Sequence, residues 1–155
     1  MASSLSILVI MPTYNELANL ERSIKSVRAA QPHAHILVVD DNSPDGTGAL
    51  AEQLAAKDSQ VNVLHRRKKD GLGGAYLAGF AWAFELGFTT IVEMDADGSH
   101  RAADLAKLLA ETQNADLVIG SRWVEGGAVQ NWPWYRRAIS RTGTFYADVM
   151  LGSRV

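Results

Sequence analysis

The alternation of short apolar runs with amphipathic stretches constrains the fold of this chain more than any other feature of its sequence. The apolar runs are continuous, as is typical of parallel strands that are buried on both faces. Strands that alternate with helices predict an α/β fold with a mostly parallel central sheet. The predicted strands are residues 7–11, 36–39, 61–64, 90–94 and 116–119.

The stretches between these runs carry apolar side chains every three or four residues, which predicts helices that each bury one face. At this spacing, aromatic side chains are expected in the core rather than around a cofactor. The predicted buried faces comprise Leu17, Leu20, Ile24 and Val27; Leu50 and Leu54; Tyr76, Phe80 and Phe84; and Leu105, Leu108 and Leu109.

Length and composition exclude several classes of protein. A chain of 155 residues fits a single domain. It has no cysteine, which excludes disulfides and thiolate metal sites. A net charge of −2 argues against a nucleic-acid partner. No apolar run is long enough to span a membrane, and the chain opens on a predicted strand rather than on a signal peptide.

Polar and glycine-rich segments follow every predicted strand. Ligands of open parallel sheets bind outside the carboxyl ends of the strands, so these segments are the candidate site. The segments are residues 12–16, 40–47, 65–74, 95–100 and 120–122. The third includes the basic cluster 66–69, for which a solvated surface is an equally good interpretation.

Asp95 and Asp97 flank Ala96 at the end of the fourth predicted strand. Side chains two apart in an extended segment face the same side, so both carboxylates can converge on one hard cation. Diphosphate oxygens and water would complete its octahedral coordination. The alternative is that the two aspartates cap the helix that follows.

Asp40 and Asp41 end the second predicted strand, and their side chains are expected to point in opposite directions. One carboxylate can accept hydrogen bonds from a nucleotide base or ribose, and the other can anchor the turn through Ser43 and Thr47. The alternative is a tight strand-to-helix connection without a ligand.

These motifs resemble, in their order and spacing, the family 2 inverting glycosyltransferases, and within them the polyprenyl-phosphate (dolichyl-phosphate) mannose synthases. The resemblance covers nearly the whole chain, and no single motif carries it. It runs through Met11-Pro-Thr-Tyr-Asn-Glu16, residues 38–47, the glycines at 71–74, Met94-Asp-Ala-Asp97 with Ser99-His100, Gly120-Ser-Arg122, Gly126-Gly127 and the segment 131–136 with Ser140. It implies a Rossmann-like GT-A domain that binds a nucleotide sugar.

The resemblance also implies a role for individual residues of this chain. Guanine and ribose would be held by Pro12, Tyr14, Glu16, Val39 and Asp41, with Lys69 near the nucleotide. The diphosphate and metal would face Asp95, Ala96 and Asp97, with Ser99 as a weaker third metal ligand where relatives have glutamine. The acceptor phosphate would be bound by Arg122, Arg136 and Ser140, and the catalytic residues would be Asp95, Asp97 and Arg122.

The expected reaction is transfer of mannose from GDP-mannose to a polyprenyl phosphate, with inversion and with Mg²⁺ or Mn²⁺ as cofactor. The enzyme would act peripherally at the cytoplasmic face of a membrane. Residues 1–155 would form a single domain that stops before segments with which relatives continue. The alternatives are a family 2 transferase that uses UDP-glucose or another donor, and a nucleotide-binding module without catalysis.

Overall fold

A computed structural model describes residues 6–121 and 133–151 of the chain. Four strands are present: β1 (Ile7–Thr13), β2 (His35–Asp40), β3 (Val61–His65) and β4 (Thr90–Glu93). The helices are α1 (Leu20–Ala30), α2 (Thr47–Ala55), α3 (Leu72–Glu85), α4 (Leu105–Glu111) and α5 (Trp134–Leu151), and a short 3-10 turn (Ala102–Asp104) precedes α4.

The four strands form one parallel sheet in the order β3-β2-β1-β4. The predicted α/β fold with a parallel sheet is therefore confirmed. β1 lies between β2 and β4, and Leu8, Val9, Ile10 and Met11 are fully buried. A central strand covered on both faces has no solvent side, which explains its uninterrupted apolar run.

Successive side chains of the strands pack into separate cores on the two faces of the sheet. On one face, Val9 and Met11 pack with residues of α1, α2 and α4. On the other face, Leu8 and Ile10 pack with residues of α3. The sheet is thus an inner layer between two helical layers.

The strand order changes direction at β1. The chain runs from β1 outward through β2 to β3, and α3 then carries it back to β4 on the other side of β1. The switch point between β1 and β4 is where parallel sheets of this kind bind their ligands, outside the carboxyl ends of the strands.

Three expectations about apolar residues are wrong. Leu17, expected on the buried face of the first helix, precedes α1 and is 44% exposed. Residues 116–119 do not form a strand, and Leu117 and Ile119 are 76% and 59% exposed. A run of four residues becomes a strand only when a neighbouring strand supplies hydrogen bonds to its backbone. Phe84 is 71% exposed, and Ala83 is buried instead. Each four-residue step along a helix rotates by about 40°, so Phe84 lies about 80° away from the direction of Tyr76.

The chain divides into two compact units, Met1–Ala110 and Glu111–Val155. The first contains the sheet, and the second contains α5. The expectation of a single domain over residues 1–155 stays a prediction. Within the described ranges, no helix combines the length and apolarity needed to cross a bilayer.

Candidate functional site

The loop after β1 is fastened to the loop after β2 by three consecutive backbone N–H groups. Each donates to a different side chain of the second loop: Asn15 N to Ser43 Oγ at 3.1 Å, Glu16 N to Thr47 Oγ1 at 2.9 Å, and Leu17 N to Asp45 Oδ2 at 3.1 Å. Asn15 and Asn42 have positive φ, a conformation that asparagine tolerates better than most residues. The two loops therefore form one rigid rim at the carboxyl ends of β1 and β2.

Asp40 organises this rim from beneath. Its buried carboxylate accepts the Thr13 hydroxyl at 3.2 Å and the Ser43 hydroxyl at 2.5 Å. The expected anchoring of the turn through Ser43 thus belongs to Asp40. Thr47, by contrast, donates its hydroxyl to Asp45 at 2.6 Å rather than to Asp40 or Asp41.

Asp41 is paired with Arg66, which follows the last residue of β3. Arg66 Nη1 donates to Asp41 Oδ1 at 2.6 Å, and the two side chains are only 17% and 7% exposed, respectively. A Cβ on Gly74 would lie 2.9 Å from Arg66 Nη2, so a larger residue at this position would require the guanidinium to shift. Sequence reasoning placed Arg66 in a basic cluster but did not identify its partner, because the pairing joins two different strand ends.

Lys69 and Tyr14, both predicted near the nucleotide, are in contact. Lys69 Nζ lies 4.0 Å from the centroid of the Tyr14 ring, a cation–π geometry. The contact joins the loop after β3 to the loop after β1, so it places an ammonium group above the rim.

The remaining residues predicted to hold the base and ribose have structural partners. Pro12 is half-buried in β1. Glu16 Oε2 accepts Asn19 Nδ2 at 2.9 Å just before α1. The Val39 side chain is fully buried in the core on the α3 face, so a contact from Val39 to a nucleotide would have to use its backbone.

The loop after β4 carries the Asp95-Ala96-Asp97 motif. Pairing with β1 continues one residue past β4, through Met94 N to Ile10 O at 3.1 Å, which fixes the start of this loop beside the switch point. Ala96 is buried, and its carbonyl oxygen accepts the buried Ser23 hydroxyl at 2.7 Å. The motif is therefore tied to β1 and to α1.

Asp97 is exposed and held by the residue two positions later. Its Oδ1 accepts Ser99 N at 2.7 Å, and this hydrogen bond is the main cause that lowers the pKa of Asp97 below its usual value. The 3-10 turn begins only at Ala102, with Arg101 before it, so the alternative that the two aspartates cap the following helix is wrong.

Asp95 has two neighbours that sequence reasoning missed. Its Oδ1 accepts the Tyr76 hydroxyl at 3.2 Å, and its backbone N donates to His100 Nδ1 at 3.1 Å. Burial, and secondarily the Asp95 charge, raise the pKa of Tyr76 well above its usual range, so the phenol stays a donor. From the sequence, Tyr76 was expected in the core. It differs from an ordinary core aromatic only because its hydroxyl reaches Asp95, just after the end of β4.

The donor set after β4 fits a hard divalent cation. Asp95 and Asp97 supply carboxylate oxygens, which Mg²⁺ and Mn²⁺ prefer. In residues 6–121 and 133–151, no group of three or more histidine, cysteine, aspartate or glutamate side chains forms a cage for a metal ion. The pair therefore suits a metal whose other ligands come from a bound diphosphate and water.

The residues predicted for the acceptor phosphate belong to the second unit. Arg122 lies outside the described residues. Arg136 lies in α5, but its side chain is outside the description. Ser140 also lies in α5 and is half-buried. Arg136 and Ser140, which are four residues apart in sequence, thus lie in the same helix.

Curated relatives resemble the chain over nearly all of its length. It is 54% identical over 146 residues to an undecaprenyl-phosphate mannosyltransferase of Micrococcus luteus and 56% identical over 147 residues to a polyprenol monophosphomannose synthase of Mycolicibacterium smegmatis. A dolichol-phosphate mannosyltransferase of Pyrococcus furiosus is 41% identical over 146 residues. These alignments cover 94%, 94% and 92% of the chain, but only 60%, 56% and 40% of the three relatives.

Solved structures share the fold at low sequence identity. A mannosyltransferase of Pyrobaculum calidifontis in complex with GDP-Man and Mn²⁺ superposes with a TM-score of 0.56 at 24% identity, over 70% of this chain and 32% of that chain. S. aureus TarS in complex with UDP superposes with a TM-score of 0.55 at 22% identity, over 77% of this chain and 40% of that chain. The predicted GT-A fold is thereby confirmed.

The motifs that suggested a family in the sequence now lie at the ends of β1, β2 and β4 in a sheet of the corresponding fold. The model of the family described as "Glycosyl transferase family 2" matches residues 8–154. The chain therefore belongs to glycosyl transferase family 2.

Proposed function

We propose that this chain binds GDP-mannose and provides the donor site of an enzyme that transfers mannose to a polyprenyl phosphate. The observation that carries the proposal is the Asp95-Ala96-Asp97 loop beside the β1–β4 switch point, in a chain 54–56% identical to relatives named for this transfer. The chain spans little more than half the length of those two relatives, so its own substrates are a matter for experiment.

The nucleotide site in this proposal is the rim at the ends of β1 and β2. Asp41 accepts hydrogen bonds from the base or ribose through the carboxylate that Arg66 orients. Tyr14 and Lys69, already in contact, lie along the same rim, where the ammonium group offsets negative charge on the nucleotide. Pro12, Glu16 and Val39 complete this site in the proposal.

The metal site in this proposal consists of Asp95 and Asp97, with Ser99 as a weaker third ligand. When bound, Mg²⁺ or Mn²⁺ supplies Lewis-acid stabilisation of charge on the departing diphosphate. Asp97 is well suited to this role, because the Ser99 N–H stabilises its ionised form.

The reaction is a single in-line displacement at the anomeric carbon. The acceptor phosphate oxygen forms the new bond, the bond to the diphosphate breaks, and its electron pair leaves with GDP, which inverts the configuration. A phosphate is already an anion, so it attacks without a general base. The site accordingly does not need the paired acid and base of a glycosidase.

The acceptor is proposed to bind through Arg122, Arg136 and Ser140. Arginine suits this role because its guanidinium can hold phosphate with two parallel hydrogen bonds. A polyprenyl acceptor places the reaction at a membrane surface, for which we propose peripheral association at the cytoplasmic face.

Ligand-dependent thermal unfolding tests the donor. GDP with Mn²⁺ is expected to raise Tm, since a ligand at 100 times its Kd stabilises a protein by about 2.7 kcal/mol. UDP with Mn²⁺ should have a much smaller effect. A larger rise in Tm with UDP would show that the donor is a uridine nucleotide sugar and not GDP-mannose. No rise with either nucleotide would show that this chain has no nucleotide site.

Asp97→Ala tests the metal site, and transfer of label from GDP-mannose to a short polyprenyl phosphate tests the reaction. The variant should lose most Mn²⁺-dependent GDP binding while its Tm without ligand stays near that of the parent, because Asp97 is exposed. Asp116→Ala, also an exposed aspartate, is the matched control. GDP binding without turnover would identify a binding module rather than an enzyme.

A further inference from the structure

Tyr76, a residue of α3, presents its hydroxyl group to Asp95 of the candidate metal site. Its ring lies in the core on the α3 face and stacks on Phe80 at a centroid distance of 6.3 Å. Tyr76 as a whole is 9% exposed, and its hydroxyl donates to Asp95 Oδ1 at 3.2 Å. A phenylalanine would fill the same space in the core, so core packing alone does not require the hydroxyl group.

The position of α3 determines that this hydroxyl reaches the end of β4. Gly79 lies one turn after Tyr76 on the same face of the helix, against Ile10 of β1. A Cβ at Gly79 would come within 2.7 Å of Ile10 Cγ2, so the helix packs more closely on the sheet than a larger residue would allow. With α3 this close to the sheet, the Tyr76 hydroxyl is within 3.2 Å of Asp95 Oδ1 in the loop after β4.

The two oxygens of Asp95 are in different environments. Oδ1 accepts the Tyr76 hydroxyl, whereas Oδ2 lies 3.9 Å from His100 Nε2, beyond hydrogen-bond range. Asp95 is also less constrained by its own loop than Asp97, which is held by Ser99 N. Among the described residues, the hydroxyl of Tyr76 is the group that donates a hydrogen bond to the Asp95 carboxylate, so it favours one rotation of that carboxylate.

We propose that Tyr76 is a positioning residue for Asp95, whose hydroxyl holds one carboxylate oxygen so that the other is oriented for the divalent cation of the nucleotide complex. This inference rests on the proposed function, since Asp95 needs a fixed orientation only if it binds that cation. Partners of metal-ligating carboxylates typically contribute ten- to a hundredfold to metal affinity.

The test is the Mn²⁺ concentration needed for half-maximal GDP binding, measured by titration calorimetry on the intact chain. Tyr76→Phe, which removes only the hydroxyl, is expected to raise that concentration about tenfold. Tyr76→Met is a second variant without the hydroxyl and should show the same defect. Tyr146→Phe, the same change at an exposed tyrosine, should leave the Mn²⁺ requirement unchanged.

A double-mutant cycle with Asp95→Asn separates positioning from general loosening of the fold. If Tyr76 acts through Asp95, then Tyr76→Phe should add little to the defect of Asp95→Asn. Full additivity, or an unchanged Mn²⁺ requirement in Tyr76→Phe, would overturn the inference while leaving the proposed function in place. A parent chain that binds no GDP with Mn²⁺ would overturn both.

Discussion

Asp40 and Asp41 are adjacent in sequence, yet the structure gives their carboxylates different partners. Asp40 accepts hydroxyl groups of Thr13 and Ser43, whereas Asp41 pairs with Arg66. Opposite orientation at the end of a strand explains the division. Asp40 therefore maintains the rim, and the proposed contact with a nucleotide is assigned to Asp41 together with Arg66.

Asp41→Asn is expected to weaken GDP binding by roughly tenfold, because a charged acceptor becomes a neutral amide. Loss of the nearly buried ion pair with Arg66 should also lower the free energy of unfolding by about 1–3 kcal/mol. Titration calorimetry with GDP and urea unfolding measure the two effects. Asp116→Asn at an exposed position is the control. Undiminished GDP affinity would place the nucleotide elsewhere.

At the level of elements, α3 joins the two halves of the site. Its first residues follow the loop that carries Lys69, its Gly74 leaves space for Arg66, and its Tyr76 reaches Asp95. The spacing of α3 from the sheet consequently affects both the rim after β1 and β2 and the loop after β4.

Gly79→Ala should destabilise the chain although alanine favours helices. The added Cβ would lie 2.7 Å from Ile10 Cγ2, and overpacking of this kind costs about 1–3 kcal/mol, against a gain of about 1 kcal/mol in helix propensity. Gly73→Ala, in the same helix with nothing within 4 Å of the new Cβ, should be neutral or stabilising. Urea unfolding of both variants is the measurement, and equal stability of the two would contradict the close packing of α3.

The turn between α2 and β3 is joined to the end of α1 by an ion pair. Arg28 Nε donates to Asp58 Oδ2 at 2.8 Å, and Arg28 Nη2 donates to Gln60 Oε1 at 2.5 Å. The hydrogen bond from Gln60 N–H is the main cause that lowers the pKa of Asp58 below its usual value, and Arg28 contributes a smaller part. The ionised form of Asp58 is therefore favoured in the folded chain.

Asp58→Asn should reveal a pH-dependent contribution to stability. A carboxyl group whose pKa is lowered by folding stabilises the fold above its unfolded pKa of about 3.9, and the contribution disappears as the pH falls through the lower folded pKa. The deficit of the variant should be at most about 1 kcal/mol at pH 7, because a third of the side chain is exposed, and should shrink below about pH 4. Urea unfolding across this range measures it, with Asp70→Asn as the exposed control. A deficit that does not change with pH would contradict the assignment.

For the whole molecule, one change of strand order places the rim formed by the loops after β1 and β2 at the same edge of the sheet as the loop after β4. β1 contributes to both, because it pairs with β2 on one side and with β4 on the other. The residues proposed for the acceptor are in the second compact unit, so they depend on a different part of the chain.

Arg136→Ala should affect the acceptor selectively. A charge-assisted bond to phosphate contributes about 1.5–3 kcal/mol, so its loss should reduce acceptor affinity or turnover by roughly ten- to a hundredfold. Transfer assays that vary polyprenyl phosphate and GDP-mannose separately measure the effect. Equal losses on both sides, or none, would move the acceptor site to other residues.

The candidate site could be located from sequence because ligands of open parallel sheets bind outside the carboxyl ends of the strands. Asp95 and Asp97 follow from that rule and from the preference of hard cations for carboxylates, whereas the choice of Asp41 over Asp40 came from the family resemblance. Arg66 and Tyr76 follow from neither, since Arg66 resembles a surface cation and Tyr76 resembles a core aromatic. Their partners are 25 and 19 residues away in the chain.

By itself the sequence determined the α/β class, the four strands of the sheet, the edge that carries the candidate site and the family, because these depend on local periodicity and on residues at strand ends. Only the tertiary structure decided that residues 116–119 form no strand and that Phe84 faces solvent. It also decided which side chain donates a hydrogen bond to Asp41 and which to Asp95. The physical reason is that strand formation, burial and ion pairing depend on neighbours that the packing of α3 and the order of the strands bring together.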